Sequence, residues 1–428
     1  MRRIMFVFVL AVVLFTTDAY ARIYIPIDQP SDKKFPIAIT EIEGGGYGKK
    51  VTEVIVNDMN ISGYFEVLPK LLYSDVSDKE GMTLEKIRFA FWSAIGAQAL
   101  VKGNIESQGG KFILTMRLFD TFSKEMLVGK QYRFDKQDYR RVAHRFSDEI
   151  MEALTGVRGV FNTQITFAAA GKKGSKEIFV MDMDGHNPFA ITNNKSINIS
   201  PDWSPDGSQI VFTSYEGKNP DLYIKTLGKE KMRRISTGKA ANITPAWSPD
   251  GNNIAFSSSI SGIANLYVIP PTGQKMKRVT TSGTIDISPA WSPNSHEMVF
   301  ASERAGGLHL FKTNIYGDGP QRLTFVGYQN DMPAWSPMGD KLAFAGRDRG
   351  AFDIFIMNPD GSSIQRLTIG TGNNEHPSFS PDGRYLAFSS TRDGGQSIYI
   401  MRSDGSNQVK VSKGNGLLPS WGPRMDNK

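Results

Sequence analysis

Cysteine is absent from the 428 residues. No disulfide can staple the fold, no thiol can act, and zinc sites built on cysteine are excluded. Histidine is scarce: the five are His144, His186, His296, His309 and His376. No two are spaced as the ligand pair of a zinc-binding helix, and no carboxylate close in sequence completes a set, so no metal site is expected. The Gly-x-Ser-x-Gly elbow of serine hydrolases is missing. Stripes of one charge are missing as well. The net charge is +7, but Lys49-Lys50, Arg140-Arg141 and Lys172-Lys173 are scattered pairs. A nucleic-acid partner is therefore not expected, and the basic residues read as a solvated surface. Beyond the first fifteen residues no apolar run is long enough to span a bilayer.

That first run has a purpose of its own. Arg2 and Arg3 precede twelve apolar residues from Ile4 to Phe15, and Ala19-Tyr20-Ala21 places small residues where a signal peptidase reads. Residues 1–21 are expected to be a cleaved export signal, leaving a soluble chain from Arg22. Arg22, Ile23, Tyr24, Ile25, Pro26 and Ile27 follow, an alternating strand pattern broken by proline. Such a stretch suits an edge or a movable extended segment, taken as 22–35.

Residues 36–160 read as an α/β domain. Val51, Val54, Ile55 and Met59 fall at helical spacing. Leu84, Ile87, Phe91 and Ala94 predict a second helix, and Tyr139, Val142, Phe146, Ile150 and Leu154 a third, stopped by Gly156. Phe112, Leu114, Met116 and Leu118 alternate as a half-buried strand, with 125–133 as its hairpin partner. The Gly44-Gly45-Gly46-Tyr47-Gly48-Lys49 stretch stands where a phosphate loop would. Its first glycine would have to fall at Glu43, and Lys50 replaces the magnesium-binding hydroxyl, so a plain turn is expected.

From residue 161 the helical period gives way to a repeat. Pro245-Ala246-Trp247-Ser248-Pro249-Asp250-Gly251 recurs, with its aromatic at Trp203, Trp247, Trp291, Trp335 and Phe379, 44 residues apart, and again at Trp421. A period near 44 built from short strands marks a propeller, and six units fill 161–428. The fold class expected is thus an α/β N-terminal domain followed by an all-β six-bladed propeller. Ser-Pro-Asp-Gly makes the hairpin after each inner strand, its proline presetting one turn position and its glycine supplying positive φ. The turns at Asn294-Ser295 and Met338-Gly339 carry weaker signals. Residues 165–169, 177–182 and 189–192 lack an inner strand, and Leu418-Pro419-Ser420-Trp421 lacks everything else. Together they are expected to form one blade that closes the ring.

The repeated tryptophan is expected to pack between blades, since every copy holds the same phase. The functional candidates stand just upstream: Asn198-Ile199-Ser200, Asn242-Ile243-Thr244, Asp286-Ile287-Ser288, Asn330-Asp331 and His376. They are read as loops that feed the inner strands round one mouth of the central channel. Capping explains the polar members, but isoleucine in a loop calls for a partner. No catalytic residue and no cofactor are expected. A competing reading is an exported propeller enzyme or glycan-binding protein that uses the channel; it needs a convergent acid–base or metal cluster, which the repeats lack.

With the export signal, the Arg22-Ile23-Tyr24-Ile25 start, Ala97-Gln98-Ala99-Leu100-Val101-Lys102-Gly103, the Leu154-Thr155-Gly156-Val157-Arg158-Gly159 junction and six Trp-Ser-Pro-Asp-Gly-type blades, the chain resembles the TolB family of the Tol–Pal envelope system. The resemblance covers the whole chain after the signal. It implies a non-catalytic, monomeric periplasmic adaptor, peripheral to the envelope membranes. Its propeller mouth would bind the peptidoglycan-associated lipoprotein Pal, and colicins would use the same site. The N-terminal region would communicate with TolA, with residues 22–27 as a switch. The mouth candidates above become the partner-binding residues.

Overall fold

Two periodicities build two bodies. In the first, β1 (Phe35–Ile39), α1 (Gly46–Ser62), β2 (Phe65–Val67), α2 (Ser74–Ser77), α3 (Phe89–Ala94), β3 (Ala99–Gln108), β4 (Lys111–Asp120), β5 (Met126–Phe134) and α4 (Tyr139–Thr155) follow in order. The computed structural model describes Ile25 and residues 33–77, 80–236, 239–348, 350–370 and 372–425. The sheet order is β2-β1-β3-β4-β5, with β1 parallel to both neighbours and β3 to β5 an antiparallel meander. The helical-period residues Val51, Val54, Ile55 and Met59 of α1 meet Val142, Phe146, Ile150 and Leu154 of α4 over Leu114, Met116 and Leu118. On the other face Tyr73, Phe89 and Trp92 cover Ala38, Leu100 and Phe119. Gly48 is where α1 crosses this sheet margin, and a Cβ there would stand 1.9 Å from the Ile42 carbonyl oxygen. The glycine-rich stretch is a close-packed turn. Gly156 ends α4 at φ 73°, as its spacing implies.

The single helix expected over Leu84–Ala94 is broken. A 3-10 turn covers Leu84–Lys86, Ile87 is extended, and α3 starts at Phe89. The buried Glu80 carboxylate explains the break. It accepts the Arg88 backbone N–H and the Trp92 indole N–H, both at 3.0 Å, and it pairs with buried Lys102 at 3.7 Å. Satisfying that charge fixes Arg88 outside a helical ladder.

The second body is a propeller of six four-stranded sheets. Blade 1 joins Gln164–Ala170, Lys176–Asp182 and Phe189–Ala190 to an inner strand, Leu417–Trp421, from the far end of the chain. The inner strands of blades 2 to 6 are Asn198–Trp203, Asn242–Trp247, Asp286–Trp291, Gln329–Trp335 and Asn374–Phe379. Trp247 packs on Ile254 and Phe256 of its own blade and on Val211 and Leu222 of the preceding one. Its equivalents hydrogen-bond backward too: Trp203 Nε1 donates to the Ser420 carbonyl at 3.2 Å and Trp291 Nε1 to that of Ala246 at 3.0 Å. The aromatic repeat is inter-blade core.

The hairpins repeat one hydrogen-bond set. Ser204 Oγ donates to Asp206 at 2.6 Å and accepts the Gln209 N–H at 2.9 Å. Where the sequence signal weakens, substitutes restore the serine's donation. Asn294 takes the aspartate's place for Ser292, and Asp340, two residues later than usual, does so for Ser336. The α/β domain packs on this hairpin side of the ring. Tyr385 Oη donates to the Ser62 carbonyl at 3.2 Å, Asn407 Nδ2 to that of Ile61 at 2.8 Å, and Arg384 to that of Arg158 at 2.9 Å.

Candidate partner-binding mouth of the channel

Strand direction places the mouth. Inner strands end at the hairpins that touch the α/β domain, so they begin on the opposite, uncovered side. There the structure revises one local expectation. Asn198-Ile199-Ser200 and its equivalents are not feeding loops but the first half of the inner strands. A bulge hides this from the sequence. Ser200, Thr244, Ser288, Met332, His376 and Leu418 all have φ between 51° and 56°, each is followed by proline, and the pairing register shifts at that point in every blade. Left-handed backbone at a non-glycine residue costs about 1–3 kcal/mol, and bulges re-aim side chains. Six copies of that cost stand in one ring around the channel.

The bulge sorts the candidates into rings. Asn198, Asn242, Asp286 and Asn330 are buried. Asn198 Nδ2 donates to the Lys176 carbonyl at 2.9 Å, Asn242 Nδ2 to Asp221 at 3.0 Å, and Asn330 Nδ2 to the Val326 carbonyl at 2.9 Å. Asp286 accepts Arg304 at 2.9 Å. These residues lock the inner strand to its neighbours. The next ring differs by side: Ile199, Ile243, Ile287 and Leu417 are half-buried and apolar, whereas Asp331 and Glu375 make an acidic side. The third ring, Ser200 to Leu418 as named above, faces a channel cavity of about 420 Å³ that Ile287 and Asp331 also reach. Of the candidates, Ser200, Thr244, Ile287, Ser288, Asp331 and His376 line this cavity, Ile199 and Ile243 are half-buried beside it, and the Asn198, Asn242, Asp286 and Asn330 ring does not reach it.

Electrostatics follow burial. Desolvation pushes the Asp331 carboxyl up, against the hydrogen bond from the Met332 N–H. Desolvation, with the Asp331 charge added, pushes Glu375 up. Burial lowers the His376 imidazole to about 4, so it is neutral at pH 7, with Nδ1 3.3 Å from Ser389 Oγ. Deeper in the channel Asp202 accepts the Trp247 N–H at 2.6 Å and Ser420 Oγ at 2.9 Å, and burial still raises it to about 6.

Sequence reasoning missed the outer lip. Phe325, Val326 and Tyr328, in the loop feeding blade 5, are 70%, 64% and 73% exposed, and Ile369, in the next such loop, is 71% exposed. All four lie on the mouth side. Their signal was an apolar run in a loop, outside the repeated Asn-Ile-Ser frame. Of the N-terminal candidates, Arg22, Ile23, Tyr24, Pro26 and Ile27 lie outside the described residues. Ile25 donates its N–H to the Leu154 carbonyl at 2.8 Å and packs on the α/β core.

His144 also departs from expectation. The fold brings it two carboxylates distant in sequence, Asp58 and Asp184, with ligand atoms all within 4.8 Å of one another. Asp184 is already bound by the Arg140 guanidinium. Arg140 and His144 form an ion-pair network with Asp58, Asp184 and Asp182, in which a metal ion would have to displace the guanidinium. Among the described residues no helix is long and apolar enough to cross a membrane.

Comparison with known proteins matches both bodies. The family model described as TolB beta propeller domain matches residues 151–425, and that of the TolB amino-terminal domain matches 23–127. A Tol-Pal system protein TolB from Desulfosudis oleivorans is 36% identical over 218 residues, 49% of each chain. Another from Hydrogenovibrio crunogenus is 33% identical over 241 residues, 54% of this chain and 55% of that one. The chain thus spans about half the length of the curated relatives it matches. The crystal structure of TolB from Acinetobacter baumannii superposes with a TM-score of 0.81 at 26% identity, covering 92% of this chain and 97% of that one.

Proposed function

The chain belongs to the TolB family, and on that premise we propose that it is a non-catalytic periplasmic adaptor of the Tol–Pal system. Its propeller mouth binds the peptidoglycan-associated lipoprotein Pal, and its N-terminal region communicates with TolA, in support of outer-membrane integrity and cell division. Colicins are ligands of the same mouth. The observation that carries the reading is the ring of bulged inner strands. It turns Ile199, Ile243, Ile287 and Leu417 into a half-exposed apolar arc on the side that the α/β domain leaves open. Strain maintained in six copies at a solvent-facing site favours a binding role over a packing role. The exposed Phe325, Val326, Tyr328 and Ile369 extend the same face, and aromatic anchors of this kind carry much of the energy of protein interfaces. Adaptor chemistry also suits the buried channel acids: Asp202 holds Trp247 and Ser420, and Asp331 holds Met332.

Calorimetry with the soluble domain of Pal tests the reading. Ile243→Asp and Ile287→Asp each put an unpaired charge into the apolar arc. Each is expected to weaken binding by about 2–4 kcal/mol, the range of an interface hot spot, with the free protein still folded by circular dichroism. Unchanged affinity in both variants would reject the mouth as the site.

A further inference from the structure

The α/β domain and the propeller share one apolar core, in which Val142, Phe146 and Ile150 meet Phe161, Ile165 and Trp421. Set into that core is a line of charge. Arg140, His144 and Asp148 stand four residues apart on α4, hence on one helix face, and all three are buried. Each reaches a different part of the molecule. Arg140 binds Asp184, in the turn after the Lys176–Asp182 strand of the propeller, and reaches Asp182 at 3.4 Å. His144 Nδ1 lies 2.9 Å from Asp58 of α1, and its Nε2 lies 4.0 Å from Asp184. Asp148 accepts the Phe161 N–H at 2.8 Å and the Asn162 N–H at 3.4 Å, both in the segment that joins the two bodies. From the propeller side His186 also faces the cluster, with Nδ1 3.2 Å from Asp184, and Asn57 of α1 donates to the same carboxylate at 3.3 Å.

We propose that this face of α4 is a proton-held latch, which fixes the α/β domain on the propeller while His144 is charged and lets the two bodies reorient when that charge is lost. The charge count supports it. Asp58 and Asp184 are fully enclosed; protonated His144 is the cation within hydrogen-bond reach of Asp58, whereas Arg140 is shared by Asp184 and the part-exposed Asp182, and His186 faces Asp184 from the propeller side. Taking the proton from His144 leaves a buried carboxylate uncompensated, and water must enter the joint to solvate it. The titration directions of His144, Asp184 and Asp58 agree, while burial raises Asp148, on the same helix face, to about 7. Burial alone would lower His144, but the charge and hydrogen bond of Asp58, with Asp184 behind, raise it to about 9 against the opposing charge of Arg140. Burial would likewise raise Asp184, yet the His186 hydrogen bond and the His144 and Arg140 charges hold it well below the usual carboxylate range. Burial pushes Asp58 up against the pull of His144. Because the folded pKa of His144 lies above its ordinary 6.5, its contribution is complete below pH 6.5 and is lost as pH rises through about 9.

The absence of cysteine makes the test clean. Spin labels at Leu71→Cys on the α/β domain and Tyr316→Cys on the propeller, both exposed positions, report the distance between the two bodies by pulsed electron resonance. One narrow distance population is expected from pH 6 to 8, with a second population growing above about pH 9 while far-ultraviolet circular dichroism is unchanged. Asp184→Asn is expected to show the second population already at pH 7, and the His144 imidazole is expected to titrate near 9 by nuclear magnetic resonance. Should the variant fail to fold, the pH series on the doubly labelled parent decides. A single population from pH 6 to 10, or a His144 that titrates near 6.5, overturns the latch.

Discussion

At the residue scale, the channel acids are the most distinctive chemistry of the propeller. Asp202 is held by two hydrogen bonds, and burial nevertheless raises it to about 6. A carboxyl whose folded pKa exceeds its unfolded value contributes stability that is full below the unfolded pKa and lost as pH rises through the folded one. The propeller is therefore expected to lose on the order of 2 kcal/mol between pH 4 and pH 7 through this group. Asp202→Asn, which keeps an acceptor for Trp247, is expected to flatten that slope. Urea midpoints of parent and variant at the two pH values measure it, and parallel slopes would remove Asp202 as the cause. Part of this chemistry was legible in the chain. The Asn-Ile-hydroxyl pattern pointed to the residues of the mouth. Their division into strand locks and an open arc was not legible, because it depends on a left-handed backbone that Ser200, Thr244 and Ser288 adopt against their own preference. The partners of His144 were illegible for another reason: Asp58 and Asp184 lie 86 and 40 residues away along the chain.

At the element scale, one strand closes the ring. Leu417–Trp421 pairs with Gln164–Ala170, and the Trp421 indole donates to Thr163 Oγ1 at 2.8 Å while its backbone N–H donates to Ser378 Oγ at 2.9 Å. It therefore ties blade 1 to blade 6, and without it the Gln164–Ala170 strand of blade 1 keeps an open edge. Trp421→Ala is expected to cost about 3–5 kcal/mol, the range for truncating a buried tryptophan. Removal of residues 416–428 is expected to lower the melting temperature of the whole propeller rather than of one blade. A truncated chain that melts like the parent by calorimetry would contradict this. The 44-residue period and the unmatched strands at the two ends made this closure readable from sequence. The broken helix around Ile87 was not readable, since the apolar spacing there is helical and the break comes from a buried glutamate, Glu80.

At the scale of the whole molecule, the propeller uses its two faces differently. Hairpin tips on one side carry the α/β domain through Tyr385, Arg384 and Asn407. The other side exposes the apolar arc and the lip of Phe325, Val326 and Tyr328. One face is committed to internal assembly, and the open face is the one proposed for Pal. Hydrogen–deuterium exchange of the chain with and without the soluble domain of Pal addresses that division most directly. The expected result is new protection at the backbone amides of 197–200, 241–244, 285–288 and 325–332, with the outer surface of the α/β domain unchanged. Protection confined to the α/β domain, with the mouth amides exchanging as in the free protein, would contradict it.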